Sequence, residues 1–150
     1  MSSLFAFLHH LAAFAIVAAL VLELVLLRGP LTAWSAKRVM VADAIYGASA
    51  GMLLAVGLLR VFFYEKGFGY YINSIPFLVK FGLFIALGIA SIYPTIRFLS
   101  WRNALKQGRV PELPEAEQRR LRRIVHFELL AVVLIILCAA LMARGVGMLG

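Results

Sequence analysis

The sequence is poor in cysteine and in charged residues. Cys138 is the only cysteine, which excludes an intramolecular disulfide, and its position in an apolar run predicts a buried side chain. Charged residues make up 15% of the chain and hydrophobic residues 63%. Soluble domains are only about 45–50% apolar. This composition indicates an integral membrane protein, and no segment is long enough to form a separate soluble catalytic domain.

Acidic residues are also scarce, with 7 Asp and Glu against 15 Lys and Arg and a net charge of +8. Such an excess of positive charge can indicate nucleic-acid binding. Here the basic residues lie between apolar runs, where they act as topology signals and contact anionic lipid. We therefore expect membrane lipid as a partner and no nucleic acid.

Four apolar runs account for most of the 150 residues and predict an all-α, integral membrane four-helix bundle. Each run is near the roughly 20 residues that cross a bilayer. The first residues lack a positively charged region, so we expect the first helix to be retained and not cleaved as a signal peptide. Ser35 is a candidate N-cap of the second helix. Pro114-Glu115-Ala116-Glu117 is a candidate start of the fourth, because acidic residues such as Glu117 are favoured in the first turn of a helix. The bundle is expected to form a single transmembrane domain, residues 1–150, with spans at about 4–27, 39–63, 76–98 and 124–143.

The basic residues also predict the orientation of the chain. Eleven of the 15 lie in, or at the edges of, the connections between spans 1 and 2 and between spans 3 and 4. By the positive-inside rule these connections are cytoplasmic and both termini lie on the outer, periplasmic side.

Ionisable residues inside the spans sort into two layers by depth. Such residues are costly in a membrane and usually face a partner, a cofactor or water. His9 and Glu23 lie 14 residues apart, so they share one helix face at heights that differ by about 21 Å. His10 points about 100° away. The outer layer comprises His9, His10, Arg60, Lys80 and Arg144.

Imidazoles among cations suit an anionic ligand, and haem b fits this pattern. His9 or His10 can ligate the iron, and Arg60, Lys80 and Arg144 can pair with the propionates. The alternative is that Lys80 and Arg144 only extend to the membrane interface.

The inner layer is rich in carboxylates. It comprises Glu23, Asp43, Tyr46, Tyr93, His126 and Glu128. A site of Glu23, Asp43, His126 and Glu128 can bind a divalent metal ion or relay protons. Alternatively, Glu23 and Glu128 form structural ion pairs with Arg28 or Arg123, Asp43 is a partner of nearby arginines, and His126 is interfacial.

Several motifs resemble a bacterial domain-of-unknown-function family of four-span membrane proteins of about 150 residues. The resemblance covers nearly the full length and implies the bacterial inner (plasma) membrane, crossed several times. The motifs are Leu8-His9-His10-Leu11-Ala12-Ala13-Phe14, Glu23-Leu24-Val25-Leu26-Leu27-Arg28-Gly29, Asp43-Ala44-Ile45-Tyr46-Gly47, Gly57-Leu58-Leu59-Arg60-Val61, Tyr64-Glu65-Lys66-Gly67, Ser91-Ile92-Tyr93-Pro94-Thr95 and Met142-Ala143-Arg144-Gly145.

The early histidines and Pro76-Phe77-Leu78-Val79-Lys80-Phe81-Gly82-Leu83 are also similar to HemJ-type protoporphyrinogen oxidases and CopD-type membrane proteins. The HemJ resemblance implies haem b at His9 or His10 and a functional role for Lys80. Ile75-Pro76-Phe77-Leu78-Val79 replaces the Trp-Leu-His-x that precedes the HemJ lysine, so the enzymatic activity is not carried over.

The first hypothesis is a haem b protein with an electron-transfer or porphyrin-linked redox role, working with a quinone or a redox partner. The second is a small metal-ion or proton transport protein, and the third is a structural or assembly subunit without a ligand. Gly47 and Gly51 form a G-x-x-x-G pair, and helix 1 is rich in alanine, so a homo-oligomer is expected.

Overall fold

The fold is all-α, as the apolar runs predict. The computed structural model describes residues 2–59, 62–63, 69 and 73–147. Four helical stretches are long and apolar enough to cross a membrane, and the third of them extends from residue 75 to residue 106. The helices are α1 (Ser2–Leu26), α2 (Ala33–Leu59), α3 (Ile75–Ser100), the short α4 (Arg102–Lys106) and α5 (Glu115–Ala143).

Contacts at the helix ends define two ends of the bundle. At the terminal end, which carries residues 2 and 147, the Ile75 N–H donates to the Gly147 carbonyl at 3.1 Å. At the loop end, which carries the 27–32 and 101–114 connections, the Gln118 amide donates to the carbonyls of Leu27 and Gly29 at 2.7 and 2.8 Å. Gln118 thereby supplies partners to carbonyls that the end of α1 leaves free.

The tightly packed core lies at the loop end. Leu27, Phe98, Leu121 and Val125 are almost completely buried there. The Phe98 ring also packs against Trp101, with ring centroids 5.1 Å apart. α1 packs mainly on α2 and α3 mainly on α5, whereas α2 and α3 meet only sparsely.

Small residues bring α1 and α2 together within one chain. Ala12, Ala19, Ala36 and Ala42 are all buried. Small side chains allow the backbones of membrane helices to approach closely. The alanines of helix 1 that we associated with an oligomer therefore serve, in part, the packing of the chain on itself.

The glycine pair of α2 is not packed against another helix. Gly47 and Gly51 are exposed, and a Cβ atom added at either would meet nothing within 4 Å.

The start of α2 corrects one prediction. Ser35 was expected to be the N-cap, but the helix already begins at Ala33. The Thr32 hydroxyl accepts a hydrogen bond from the Ser35 N–H at 3.1 Å, and the Ser35 hydroxyl accepts one from the Thr32 N–H at 2.8 Å. Thr32 is thus the cap, and the two side chains bond reciprocally as in a capping box.

The outer faces of the long helices are apolar. On α1, Leu4, Phe7, Leu11 and Phe14 recur at helical spacing and are exposed. Apolar surface on this scale is typical of a lipid-facing helix. The distribution agrees with a bundle whose outside contacts membrane lipid.

Glu117 joins α3 to α5 at the loop end. Its carboxylate pairs with Arg97, whose Nη2 donates to Oε2 at 2.7 Å, and Oε1 accepts the Tyr93 hydroxyl at 3.2 Å. We predict that Glu117→Ala lowers the free energy of unfolding by about 1–3 kcal/mol, because it removes hydrogen bonds to a charged group. Thermal or SDS titration of the purified protein in detergent measures this loss.

Glu115 provides the control for that prediction. It lies two residues away and pairs with Arg119 on the exposed surface, at 2.8 Å. Glu115→Ala should change the free energy of unfolding by no more than about 0.5 kcal/mol. Equal losses from the two variants would contradict a specific role for Glu117 in joining α3 to α5.

Candidate functional site

A cavity of about 440 Å³ lies between the four long helices, toward the terminal end. Its walls are almost entirely apolar, with contributions from Ile16 of α1, Leu53 of α2, Phe81 of α3 and Val132 of α5. His9 and Lys80 are the ionisable side chains among its described lining residues. Binding sites for small molecules usually combine about 300–1,000 Å³ of apolar space with a few polar groups. We call this space the main cavity.

The two adjacent histidines of α1 lie in different environments. His9 is half-buried and lines the main cavity. His10 is exposed, and its Nδ1 lies 2.6 Å from the Ala6 carbonyl of its own helix. The two rings are 6.2 Å apart in an edge-to-face arrangement. Since successive residues of a helix differ by about 100°, only one histidine of the pair can face the bundle interior.

The cations of the predicted outer layer are only partly brought together. Lys80 lines the main cavity, with its Nζ 5.9 Å from the centre of the Phe77 ring. Arg144 is exposed at the C-cap of α5 and does not line the cavity. Arg60 lies outside the described residues. Of the described residues predicted to form the haem site, His9 and Lys80 are the two that line the main cavity.

Three carboxylates are buried together nearer the loop end. Glu23, Asp43 and Glu128 are 1%, 7% and 1% exposed. Glu23 of α1 lies close enough to Asp43 of α2 and Glu128 of α5 for their charges to interact. We call Glu23, Asp43 and Glu128 the carboxylate cluster.

Hydroxyl groups support two members of the carboxylate cluster. The Thr95 hydroxyl of α3 donates to Asp43 Oδ1 at 2.8 Å. The Tyr46 hydroxyl of α2 donates to Glu128 Oε1 at 3.4 Å. Glu23 Oε1 differs, since it is fully buried and has no hydrogen-bond partner in the part of the chain that the structure describes. A buried carboxylate oxygen without a partner carries a large desolvation cost.

The predicted structural ion pairs of Glu23 and Glu128 do not form among the described residues. Arg28 and Arg123 are exposed, whereas both glutamates are buried. Asp43 bonds to Thr95 instead of to an arginine. Arg97 of α3 is partly buried at the loop end, and its partner is Glu117.

His126 lies apart from the carboxylate cluster. It is exposed, and its Nδ1 lies 2.8 Å from the Arg122 carbonyl one turn earlier. Within residues 2–59, 62–63, 69 and 73–147, no group of three His, Cys, Asp or Glu side chains is arranged to hold a metal ion.

A second, smaller cavity of about 230 Å³ fills the space where α2 and α3 meet only sparsely. We call it the gap cavity. Its polar lining is Tyr46, Ser91 and Thr95, and its other walls include Gly47 and Gly51. Leu54, Phe84 and Leu87 line both cavities, so the two are neighbours along the bundle.

Sequence reasoning missed Ser91, Thr95 and Glu117. Thr95 and Ser91 are uncharged hydroxyl residues, which occur throughout membrane helices without a functional role. The signal for Thr95 was its place in an α3 segment that also contains Tyr93. Glu117 was interpreted only as a favourable acid in the first turn of a helix.

The fold and these sites together define a four-helix integral membrane protein with an apolar cavity and a buried acidic cluster. A family model for a predicted membrane protein, DUF2214, matches residues 1–147, and the chain belongs to this family. This confirms the resemblance to a four-span family of unknown function. No curated protein and no solved structure matches the chain.

Proposed function

We propose that the protein binds haem b in the main cavity, with His9 as the axial ligand of the iron. The observation that carries the proposal is an imidazole at the wall of an otherwise apolar cavity of about 440 Å³. Lys80 on α3 would pair with a propionate. Haem, when bound, supplies one-electron redox chemistry.

The residues that line the main cavity are of the types that bind haem. The apolar walls of the cavity suit a porphyrin face, and His9 offers a nitrogen ligand. Among the described lining residues His9 is the one histidine, and there is no methionine or cysteine, so His9 would be the ligand that these residues offer to the iron.

The charge pattern of the connections supports a periplasmic location for the proposed haem site. With both termini outward, the main cavity lies in the periplasmic half of the bacterial inner membrane. A haem at this depth can exchange electrons with a quinone in the membrane or with a redox partner outside it. We propose an electron-transfer or porphyrin-linked redox role, in a homo-oligomer.

An absorption spectrum tests the proposal. The protein is produced with ample iron and haem precursor, purified in detergent and measured before and after dithionite. We expect a Soret band that shifts on reduction, with haem near one per chain by the pyridine haemochrome assay. A colourless preparation, which also gains no Soret band when haem is added, would refute haem binding.

Metal analysis of the same sample tests the other hypotheses. Copper, zinc or iron without porphyrin would favour a metal-handling protein at the carboxylates. A sample without haem or metal, but with a co-purifying partner, would favour a structural or assembly subunit.

A further inference from the structure

We propose that the carboxylate cluster is a proton-binding site, and that the gap cavity connects it with the main cavity to form a proton path across the membrane. The proposal goes beyond haem binding and does not depend on it. It rests on the unpartnered oxygen of Glu23, on the hydroxyl groups beside the cluster and on the neighbouring positions of the two cavities.

Glu23 is a buried acidic residue whose environment is unfavourable for a charged carboxylate. Its side chain is 1% exposed, and Oε1 has no hydrogen-bond partner among the described residues. Glu23 nevertheless lies only four residues before Leu27, at the loop end of α1. The loop end of α1 is therefore about one helical turn from Glu23, since a turn rises about 5.4 Å.

The described groups that face Glu23 carry no compensating positive charge. α2 contributes Asp43 and Tyr46, and α5 contributes Glu128. α3 contributes only the neutral hydroxyls of Ser91 and Thr95, beside Tyr46 and Asp43. No basic side chain forms an ion pair with the carboxylate cluster in the described ranges, and Arg97 is taken by Glu117. Three carboxylates in a low-dielectric site bind cations or protons in preference to remaining jointly charged.

Protons fit this site better than a metal ion. A metal ion needs several ligands that converge on one point, and the described side chains offer no such group of three. The Thr95 and Tyr46 hydroxyls instead occupy oxygens of Asp43 and Glu128. A series of oxygen atoms linked by hydrogen bonds is sufficient for a proton, which passes from one oxygen to the next.

The gap cavity supplies the next part of the path. Tyr46 lies between the two regions, because its hydroxyl bonds Glu128 and its side chain also lines the gap cavity beside Ser91. A volume of about 230 Å³ with several hydroxyl groups has the room and the partners that ordered water needs. Leu54, Phe84 and Leu87 line both this space and the main cavity, so the two cavities adjoin at these side chains.

Each transfer along the path is a simple proton exchange. The O–H bond of a protonated carboxyl breaks as a new O–H bond forms on Tyr46, Ser91 or a water molecule, which passes its own proton onward. No electron moves and no other reactant is consumed. The net result is one proton carried from the loop end to the main cavity for each carboxylate that is reprotonated.

Proton flux into vesicles tests the proposal. The purified full-length chain is reconstituted in phosphatidylcholine and phosphatidylglycerol vesicles that contain a pH-sensitive dye, and a potassium gradient with valinomycin drives proton entry. We expect entry to be faster than in protein-free vesicles, lost in Glu23→Gln and slowed in Tyr46→Phe. Glu115→Gln, which changes an exposed acid at the same end, should conduct like the wild type.

Three outcomes would overturn the proton path. They are a wild-type rate equal to that of protein-free vesicles, a Glu23→Gln rate equal to that of the wild type, and a current that requires sodium and leaves the internal pH unchanged. Tyr46→Phe removes only one oxygen, so it keeps the test valid if Glu23→Gln does not fold. Flux in a colourless preparation would support the proton path against haem binding, whereas a Soret band without flux would do the reverse.

Discussion

Replacing His9 with alanine is expected to abolish the Soret band of the purified protein, whereas replacing His10 with alanine should leave it in place. His9 lines the main cavity, but His10 is exposed and lies against the Ala6 carbonyl of its own turn. A haem held through His9 would lose its iron ligand in this variant, and with it much of its binding free energy. Haem content per chain, measured by the pyridine haemochrome assay, gives the comparison.

The two histidine variants are closely matched controls. They differ by one position in the same helix, remove the same side chain and change the hydropathy of α1 equally. Equal loss of haem from both would contradict a specific role for His9. A reversed pattern would place the ligand on the exposed side of α1, which requires a partner subunit to complete the site.

The difference between the two histidines was predictable from helix geometry. The 14-residue separation places His9 on the face of Glu23, and the structure has both of these residues turned inward and His10 outward. The apolar runs likewise predicted four membrane helices, because a bilayer span requires a long uninterrupted apolar stretch. Both predictions use the residue pattern within a single helix and do not require knowledge of how the helices pack.

Features that depend on two helices were harder to predict. Glu117 was expected only to favour the start of α5, yet it joins α5 to Arg97 and Tyr93 of α3. The support of Asp43 by Thr95 requires the rotation of α2 and α3 about their axes. A single sequence gives the depth of each residue in the membrane but not these rotations. That is why arginine partners were expected for the buried acids.

The two proposed sites share α1 but use different parts of it. Its terminal half contributes His9 to an open cavity, and its last turns contribute Glu23 to a closely packed end of the bundle. The burial of the core shows the same difference, since the fully buried residues Leu27, Phe98 and Leu121 lie near the loop end. A ligand can therefore enter the terminal half without disturbing the part of the core that holds the chain together.

Two glycine variants in α2 are expected to separate haem binding from proton transfer. Gly57 lines the main cavity and Gly51 lines the gap cavity, six residues apart on the same helix. Gly57→Leu should fill part of the main cavity and reduce haem content to background. Gly51→Leu should obstruct the gap cavity, so proton flux should fall to the rate of protein-free vesicles while the Soret band remains.

Both glycine variants are expected to fold, because a Cβ atom at either position meets nothing within 4 Å. Leucine is also a better helix former than glycine. Haem content and proton flux are measured on the same preparations. If Gly51→Leu conducts protons as the wild type does, the path does not run through the gap cavity. If Gly57→Leu keeps its haem, the binding site lies outside the main cavity, because a leucine side chain there would compete with the porphyrin for the same space.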